Sequence, residues 1–436
     1  MASGTSNSRP TLDTIVALCK RRGFVYPAAD IYGGINGIYD FGHLGTLMKQ
    51  NIRALWISSL ANKRGEIVQI EGALLGPEAV WKASGHIDGF HDPMIDCKAC
   101  KKRFRADEIN LEKGCQSCGK KDWTDVRNFN MMFKTELGAL ESAASTAYLR
   151  PETAQSIFVN FKNVMSTNRV KIPFGIAQIG KAFRNEITPK QFLFRMREFE
   201  QMEMQWFCKQ DNAPEEFASW TEQRLGFYKA LGINQDRIRI HEQTKDELAH
   251  YSTSALDIEY EFPFGWKEVE GVHHRGDFDL SEHSKHSGKD LGIFDDETKE
   301  SYTPDVVECS VGVDRLFLTF LFDAYQEDEV EGEKRVVLKI HPAIAPIKLA
   351  FFPLSKKLEE PLRKLYEFYA QRGISVQFDS SGSIGKRYRR QDEIGTPFCI
   401  TYDFDSEQDH CVTVRNRDTT KQERISIEKL PEYLGF

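Results

Sequence analysis

Phe183-Arg184-Asn185-Glu186, then a short loop, then Phe194-Arg195-Met196-Arg197-Glu198-Phe199-Glu200: this stretch, with Gly312-Val313-Asp314-Arg315 further along, decides how the chain reads. Guanidinium forks match phosphate oxygens two at a time. Arginines on adjacent antiparallel strands can therefore clamp a triphosphate without a glycine-rich loop. The sequence has no GxxxxGK[ST], and no GxGxxG follows a strand and opens a helix. Either arginine cluster alone reads more readily as strand arginines paired with glutamates on a surface. Together, in this order around one sheet, they read as an ATP site gripped chiefly by Arg184 and Arg315.

Strand-like runs surround these clusters at residues 174 to 184, 194 to 208, 257 to 263 and 304 to 311. Short strands without regularly alternating helices indicate an antiparallel sheet and an α+β catalytic unit. Residues 311 to 325 are apolar nearly all round, as in a buried helix. From Leu44, the positions Leu47, Met48, Ile52, Leu55, Trp56 and Leu60 recur at helical spacing, giving an amphipathic helix of about five turns. The run from Glu327 to Arg335 reads as a solvated loop, and His341 to Pro346 as a linker. Beyond it the pattern changes. Strand 347 to 352, helix 355 to 372, strand 374 to 379, helix 383 to 394 and strand 398 to 402 alternate as a small α/β domain, closed by a hairpin turning near Asp418. The expected domains are thus residues 1–340, with an insert at about 95–125, and residues 341–436.

The 436 residues exceed what one core organises, and 40% hydrophobic with 28% charged residues is ordinary globular composition. A net charge of -7 gives no global pull on a polyanion, so any nucleic-acid contact must be local. No apolar run approaches a membrane span, and the polar opening residues carry no secretory signal, so a cytoplasmic enzyme without a membrane partner is expected. Four of the nine cysteines form Cys97-x-x-Cys100 and Cys115-x-x-Cys118 across a 14-residue gap. That spacing suits four thiolates on one structural Zn²⁺, with free or oxidised thiols as the alternative. His273, His274, His283 and His286 are expected to be solvated or hydrogen-bonded rather than ligands.

The arginine clusters resemble motifs 2 and 3 of class II aminoacyl-tRNA synthetases. Leu149-Arg-Pro-Glu-Thr-Ala-Gln155, Pro173-Phe-Gly-Ile-Ala-Gln-Ile-Gly-Lys181, Arg197-Glu-Phe-Glu-Gln-Met-Glu203 and Gly382-Ser-Ile-Gly-Lys-Arg-Tyr-Arg-Arg390 narrow the resemblance to the dimeric glycyl-tRNA synthetases of class IIa. It runs from about residue 12 to the C-terminus. The resemblance implies a glycine–tRNA ligase that makes glycyl-adenylate from glycine and ATP with Mg²⁺ and passes glycine to tRNA(Gly). It also implies a C-terminal anticodon-binding domain, and a homodimer built on the helix near Leu44. His43 departs from the family, which usually carries proline there.

Carried over position by position, the ATP residues are Arg184, Asn185, Glu186, Phe194, Arg195, Arg197, Glu198, Phe199, Glu268, Val269, Gly312, Val313, Asp314 and Arg315. Arg184 would hold the α-phosphate and the attacking carboxylate, Glu186 the adenine amino group and Phe199 the ring. Arg195 or Arg197 would reach the outer phosphates, with Arg315 on the γ-phosphate. The glycine residues would be Arg105, Glu152, Phe199, Glu200, Gln201, Met202, Glu203, Glu308, Cys309, Ser310, Val311 and Gly312. Cys309 itself reads as a small packing residue. Glu152 and Glu308, in strand-like stretches, and Glu203 would seat the ammonium. Glu268 and Glu308 are the candidate Mg²⁺ ligands, with Glu308 shared between metal and amino acid. Lys386, Arg387, Arg389 and Arg390 would lie on a helix capped by Ser383, facing tRNA or nearby acids such as Asp392 and Glu393. Another class IIa specificity and a non-catalytic synthetase relative are the rival readings; the intact set Arg184, Glu186, Phe199 and Arg315 opposes the second.

Overall fold

A computed structural model describes residues 9–61, 66–107, 109–138, 146–249, 252–296, 298–330 and 332–435. Its centre is a sheet of seven strands: β1 (Ile67–Gln69), β2 (Phe174–Phe183), β3 (Glu198–Cys208), β4 (Ile238–Glu242), β5 (Ser254–Phe262), β6 (Gly265–Gly276) and β7 (Asp305–Gly312). They lie in the order β4-β5-β6-β7-β3-β2-β1. Every pairing is antiparallel except β1 with β2. The expected sheet is present, with one long strand, β6, that the sequence did not announce.

Strand alternation divides the sheet into two chemistries. On β3, Met202, Met204, Trp206 and Cys208 enter the main core, and their partners in register on β7 include Val311 and Cys309. The intervening positions put Glu203 opposite Ser310 and Gln205 opposite Glu308. The core on the apolar face is completed by three helices, α1 (His43–Ser59), α2 (Ala213–Ala230) and α3 (Val313–Ala324). Trp206 meets Trp220 of α2 edge-on at 5.4 Å, and α3 is buried nearly all round, as its composition requires. Helix α1 buries Leu44, Met48, Ile52 and Trp56 in the same core. His43 is the first residue of α1, the position at which proline is favoured, and the helix starts there without it.

Three expectations need correction. Residues 327 to 335 are not a solvated loop: Tyr325–Val330 and Glu333–Leu338 form a hairpin. Its register puts Asp328 opposite Arg335, whose buried guanidinium donates to both oxygens of Asp328 at 2.7 and 2.5 Å. The alternating charges were cross-strand partners. Within the connection 341 to 346, Ile344 and Ala345 are fully buried, and Asn51 of α1 donates to both of their carbonyls. Glu152 lies between the bends at Pro151 and Thr153, just before the helix Ala154–Val159, and not in a strand.

The C-terminal unit follows its expected order. Parallel strands Val376–Phe378, Leu349–Pro353 and Phe398–Tyr402 are extended by the antiparallel pair Cys411–Asn416 and Gln422–Ser426. Its helix α4 (Ile384–Ile394) begins after Ser383, but that side chain makes no capping hydrogen bond. Arg387 is buried and donates to the carbonyls of Pro353, Ser380 and Gly382. Glu393 of α4 pairs with Arg21 and Arg22 of the N-terminal helix Leu12–Arg22, at 3.0 and 2.6 Å, and ties the two units together. Among the described residues no helix is long and apolar enough to cross a membrane.

Candidate active site

The polar face of β3, β6 and β7 floors a cavity of about 200 Å³. Arg184 extends past the end of β2, Phe194 and Arg195 come from the loop before β3, and Arg315 stands in the first turn of α3. Both arginine clusters therefore face one cavity.

At one end the cationic groups are held but not consumed. Arg184 donates from Nε to the carbonyl of Pro151 at 3.1 Å, and its guanidinium carbon lies 5.3 Å from the rings of both Phe90 and Phe199. Those contacts orient the fork and leave its terminal nitrogens available to an anion. Arg315 lies 4.4 Å over the ring of Phe194 and donates to the carbonyl of Glu268 at 2.9 Å, with the Glu268 carboxylate at 3.3 Å. Glu186 is buried and accepts from Arg195 Nε at 2.7 Å.

The other end is acidic. Glu152, Glu203 and Glu308 line the cavity, and all three are held in place. Glu203 accepts from the hydroxyls of Thr153 and Ser310, the latter at 2.9 Å. Glu308 accepts from Gln205 at 2.5 Å and Arg275 at 3.1 Å on one oxygen, and pairs with His273 Nδ1 at 2.8 Å on the other. Glu152 accepts from Gln155 at 3.0 Å and faces His86 at 3.4 Å. A buried network joins these supports: Gln155 donates to Asp279 at 2.9 Å and bonds His283 at 2.7 Å, while Arg275 donates to both oxygens of Asp279. Three carboxyls so close cannot all ionise freely. Burial pushes the Glu203 carboxyl up to about 8, reinforced by the charges of Glu308 and Glu152. Burial also works against Glu308, but Arg275 and His273 outweigh it and hold that carboxyl at about 2. His86 and Arg275 likewise keep Glu152 well below the usual range against burial.

Several carried-over residues do not reach the cavity, for reasons of strand and helix geometry. Met202, Cys309, Val311, Val313 and Val269 point into the main core. Glu198 pairs with Lys181 at 2.9 Å, and Arg197 donates to the carbonyls of Glu186 and Asn36. Asn185 contributes its backbone N–H to the Met131 carbonyl at 2.7 Å. Arg105 pairs with Asp92 at 2.9 Å and Asp107 at 2.6 Å rather than lining the cavity. Glu200 and Asp314 reach its rim, but both neutralise Lys49 of α1, at 3.0 and 2.5 Å. Buried Arg275, Gln155 and Asp279, with His86 beside them, support its carboxylates, although none belongs to the carried-over site sets. The advance signals were that the stretch Arg275 to Leu280 looks like the family near its active site and that Gln155 ends the family-like stretch Leu149 to Gln155; His86 had none.

The two Cys-x-x-Cys turns close on one another. Their four sulfurs lie within 4.8 Å, with Cys97 to Cys118 and Cys100 to Cys115 each at 3.6 Å. A tetrahedral zinc with bonds of about 2.3 Å sets its sulfurs about 3.8 Å apart, whereas a disulfide needs about 2 Å. The donor set fits zinc. The fit to Mg²⁺ is split. Glu268 has its carboxylate half-exposed at the cavity, while both oxygens of Glu308 are taken by three donors.

Residues 133–325 match the tRNA synthetase class II core domain (G, H, P, S and T), and residues 348–435 match the anticodon binding domain. Among curated proteins, the chain is 51% identical to a glycine–tRNA ligase of Caldanaerobacter subterraneus subsp. tengcongensis, with 97% of this chain and 98% of that protein covered. It is 50% identical to those of Acetivibrio thermocellus and Geobacillus thermodenitrificans, with at least 97% of each chain covered.

Proposed function

The chain belongs to the glycine–tRNA ligases, and on that premise we propose that its cavity aligns ATP with glycine and condenses them to glycyl-adenylate. The activity is that of an aminoacyl-tRNA ligase: glycine and ATP give glycyl-adenylate and pyrophosphate, and the glycyl group then passes to the 3′ end of tRNA(Gly). What carries the assignment of roles is the pairing of a cationic end at Arg184 and Arg315 with the acidic seat of Glu152, Glu203 and Glu308.

In this reading the ammonium of glycine sits on the acidic seat, and its carboxylate turns towards Arg184. A carboxylate oxygen attacks the α-phosphorus, the bond from that phosphorus to the bridging oxygen breaks, and pyrophosphate leaves with the electron pair. The nucleophile is already ionised, so no general base is needed. Positioning and charge neutralisation carry the barrier reduction. Arg184 is the group able to touch both reacting partners. Arg315 and Arg195 take the outer phosphates, Phe199 stacks on adenine and Glu186 accepts its amino group. Mg²⁺, when bound, neutralises phosphate charge; Glu268 is the residue that would hold it, and Glu308 belongs to the glycine seat instead. In the second step a ribose hydroxyl of tRNA attacks the carbonyl carbon and AMP leaves.

Residues 1–340 form the catalytic unit in this reading, and residues 341–436 the anticodon-binding unit. Cys97, Cys100, Cys115 and Cys118 would hold a structural Zn²⁺, which with four thiolates supplies cross-linking rather than a reactive open position. Lys386 is the exposed cation of α4 for tRNA; Arg390 is engaged by Asp379 and Arg389 by Glu333. A homodimer is supported by Ile31 and Tyr32, which are 90% and 86% exposed in the loop between the paired strands Val25–Pro27 and Tyr39–Phe41, the second of which leads into α1. The cytoplasm, where tRNA is charged, is the proposed location. Glycine-dependent exchange of labelled pyrophosphate into ATP tests the reading; pure, folded protein without exchange would defeat it.

A further inference from the structure

Asp92 belongs to none of the residue sets carried over from the family. It is buried in the strand His91–Asp96, which leads into the cysteine insert and follows Phe90, whose ring lies 5.3 Å from the Arg184 guanidinium. Its Oδ1 takes Nη1 of Arg105 at 2.9 Å. Its Oδ2 is shielded from water and, among the described residues, accepts no hydrogen bond. A buried anionic oxygen in that state is uncommon and calls for a partner. Nη2 of Arg195 stands 3.9 Å from it, too far for a hydrogen bond and close enough to reach one by a small side-chain movement. Arg195 is meanwhile drawn to Glu186 by the 2.7 Å bond from its Nε. Glu186 is the carboxylate assigned above to the adenine amino group, so a guanidinium bonded to it competes with the nucleotide.

We propose that Asp92 is a positioning residue that receives Arg195 when ATP binds. As Glu186 passes to adenine, Arg195 closes the 3.9 Å gap to Asp92 Oδ2. Its other N–H groups are then fixed towards the outer phosphates. Burial raises the Asp92 carboxyl above its usual range despite Arg105, as expected of an anion still short of one cation. The inference rests on the roles given to Glu186 and Arg195, and no covalent step is involved.

The test is pyrophosphate exchange with the full-length chain carrying Asp92→Asn, alone and combined with Glu186→Gln, with Arg195→Ala as the control. Asp92→Asn keeps the shape and an oxygen for Arg105 but removes the charge that draws Arg195. The expected result is a KM for ATP raised about tenfold, a KM for glycine within twofold, and unchanged zinc content. In the Glu186→Gln background the charge of Glu186 no longer draws Arg195 away, so adding Asp92→Asn should raise the ATP KM less than threefold. An ATP KM within twofold of the parent overturns the proposal. So does an equal rise in both KM values, or the same effect in both backgrounds, since either marks Asp92 as general support. If Asp92→Asn melts far below the parent, Asp92→Ser is read by the same criteria. If Arg195→Ala leaves the ATP KM unchanged, the role of Arg195 falls, and that failure is separable from a failure of Asp92 alone.

Discussion

Glycine binding should be linked to a proton at Glu203, and the structure sets the size of the effect. An ammonium is best held by the ionised carboxylate, yet burial and two neighbouring anions push this carboxyl up to about 8. With that value, KM for glycine should scale with one plus the protonated-to-ionised ratio, the inverse of the ionised fraction. It should fall about ninefold from pH 6 to pH 7, and a further fivefold or so from pH 7 to pH 8. The assay is glycine-dependent pyrophosphate exchange at saturating ATP, which needs no tRNA. Glu203→Gln, which mimics the protonated acid, should raise KM at pH 8 at least tenfold and flatten the pH dependence to within about twofold. The sign for stability is opposite. A folded-state value above the ordinary 4.5 gives stability that is complete below 4.5 and lost as pH rises through about 8. Glu203→Gln should accordingly melt higher than the parent at pH 8.5. A wild-type KM that is flat between pH 6 and 8 would refute the reasoning, because the seat would then be fully ionised without its ligand.

Arg315→Ala should lower kcat/KM for ATP roughly 30- to 150-fold, corresponding to about 2–3 kcal/mol for a charge-assisted phosphate contact. Its melting point should change little, since its ion pair with Glu268 is partly exposed. Arg224→Met should cost about 3–5 kcal/mol in chemical denaturation, because Arg224 and Glu270 are both fully buried and paired at 2.6 Å. The double change Arg224→Met with Glu270→Leu should recover most of that loss. Elemental analysis should find about one zinc per chain, falling on Cys100→Ser substitution with loss of order in the insert by hydrogen exchange; metal-free protein with an equally protected insert would remove the zinc. Tyr32→Asp with Ile31→Asp should shift the chain from dimer to monomer in sedimentation, and an unchanged dimer would place the interface elsewhere.

What could be read in advance follows from where the signal is local. Strand β2 is mostly apolar and β3 and β7 alternate apolar with polar residues over much of their length, so all three were legible, as was helix α3. Strand β6 was not, because its Glu268, Glu270, His273 and Arg275 serve the site and the buried ion pairs, and this breaks the apolar pattern. Helix α2 hid for a similar reason: it buries Glu216 and Arg224 alongside Trp220, so its faces differ little in polarity. The hairpin around Asp328 and Arg335 looked solvated because its charges satisfy one another only once the strands pair. At the site, the resemblance supplied the cavity-lining set Arg184, Glu186, Phe199, Glu152, Glu203, Glu308 and Arg315. It also carried in Met202, Cys309 and Val311, which strand alternation turns into the core. The supports that fix each carboxylate, such as Arg275 on Glu308 and Gln155 on Glu152, join residues 33 and 3 positions apart, and only the fold gives either contact its meaning.

The most direct test of the central claim is pyrophosphate exchange into ATP measured with each amino acid in turn, on metal-replete protein with Mg²⁺. The account predicts exchange with glycine and at most a trace with alanine or serine, because the acidic seat holds a bare ammonium and one added methyl must displace its walls. Equal exchange with alanine, or exchange with threonine, proline or histidine in place of glycine, would contradict it.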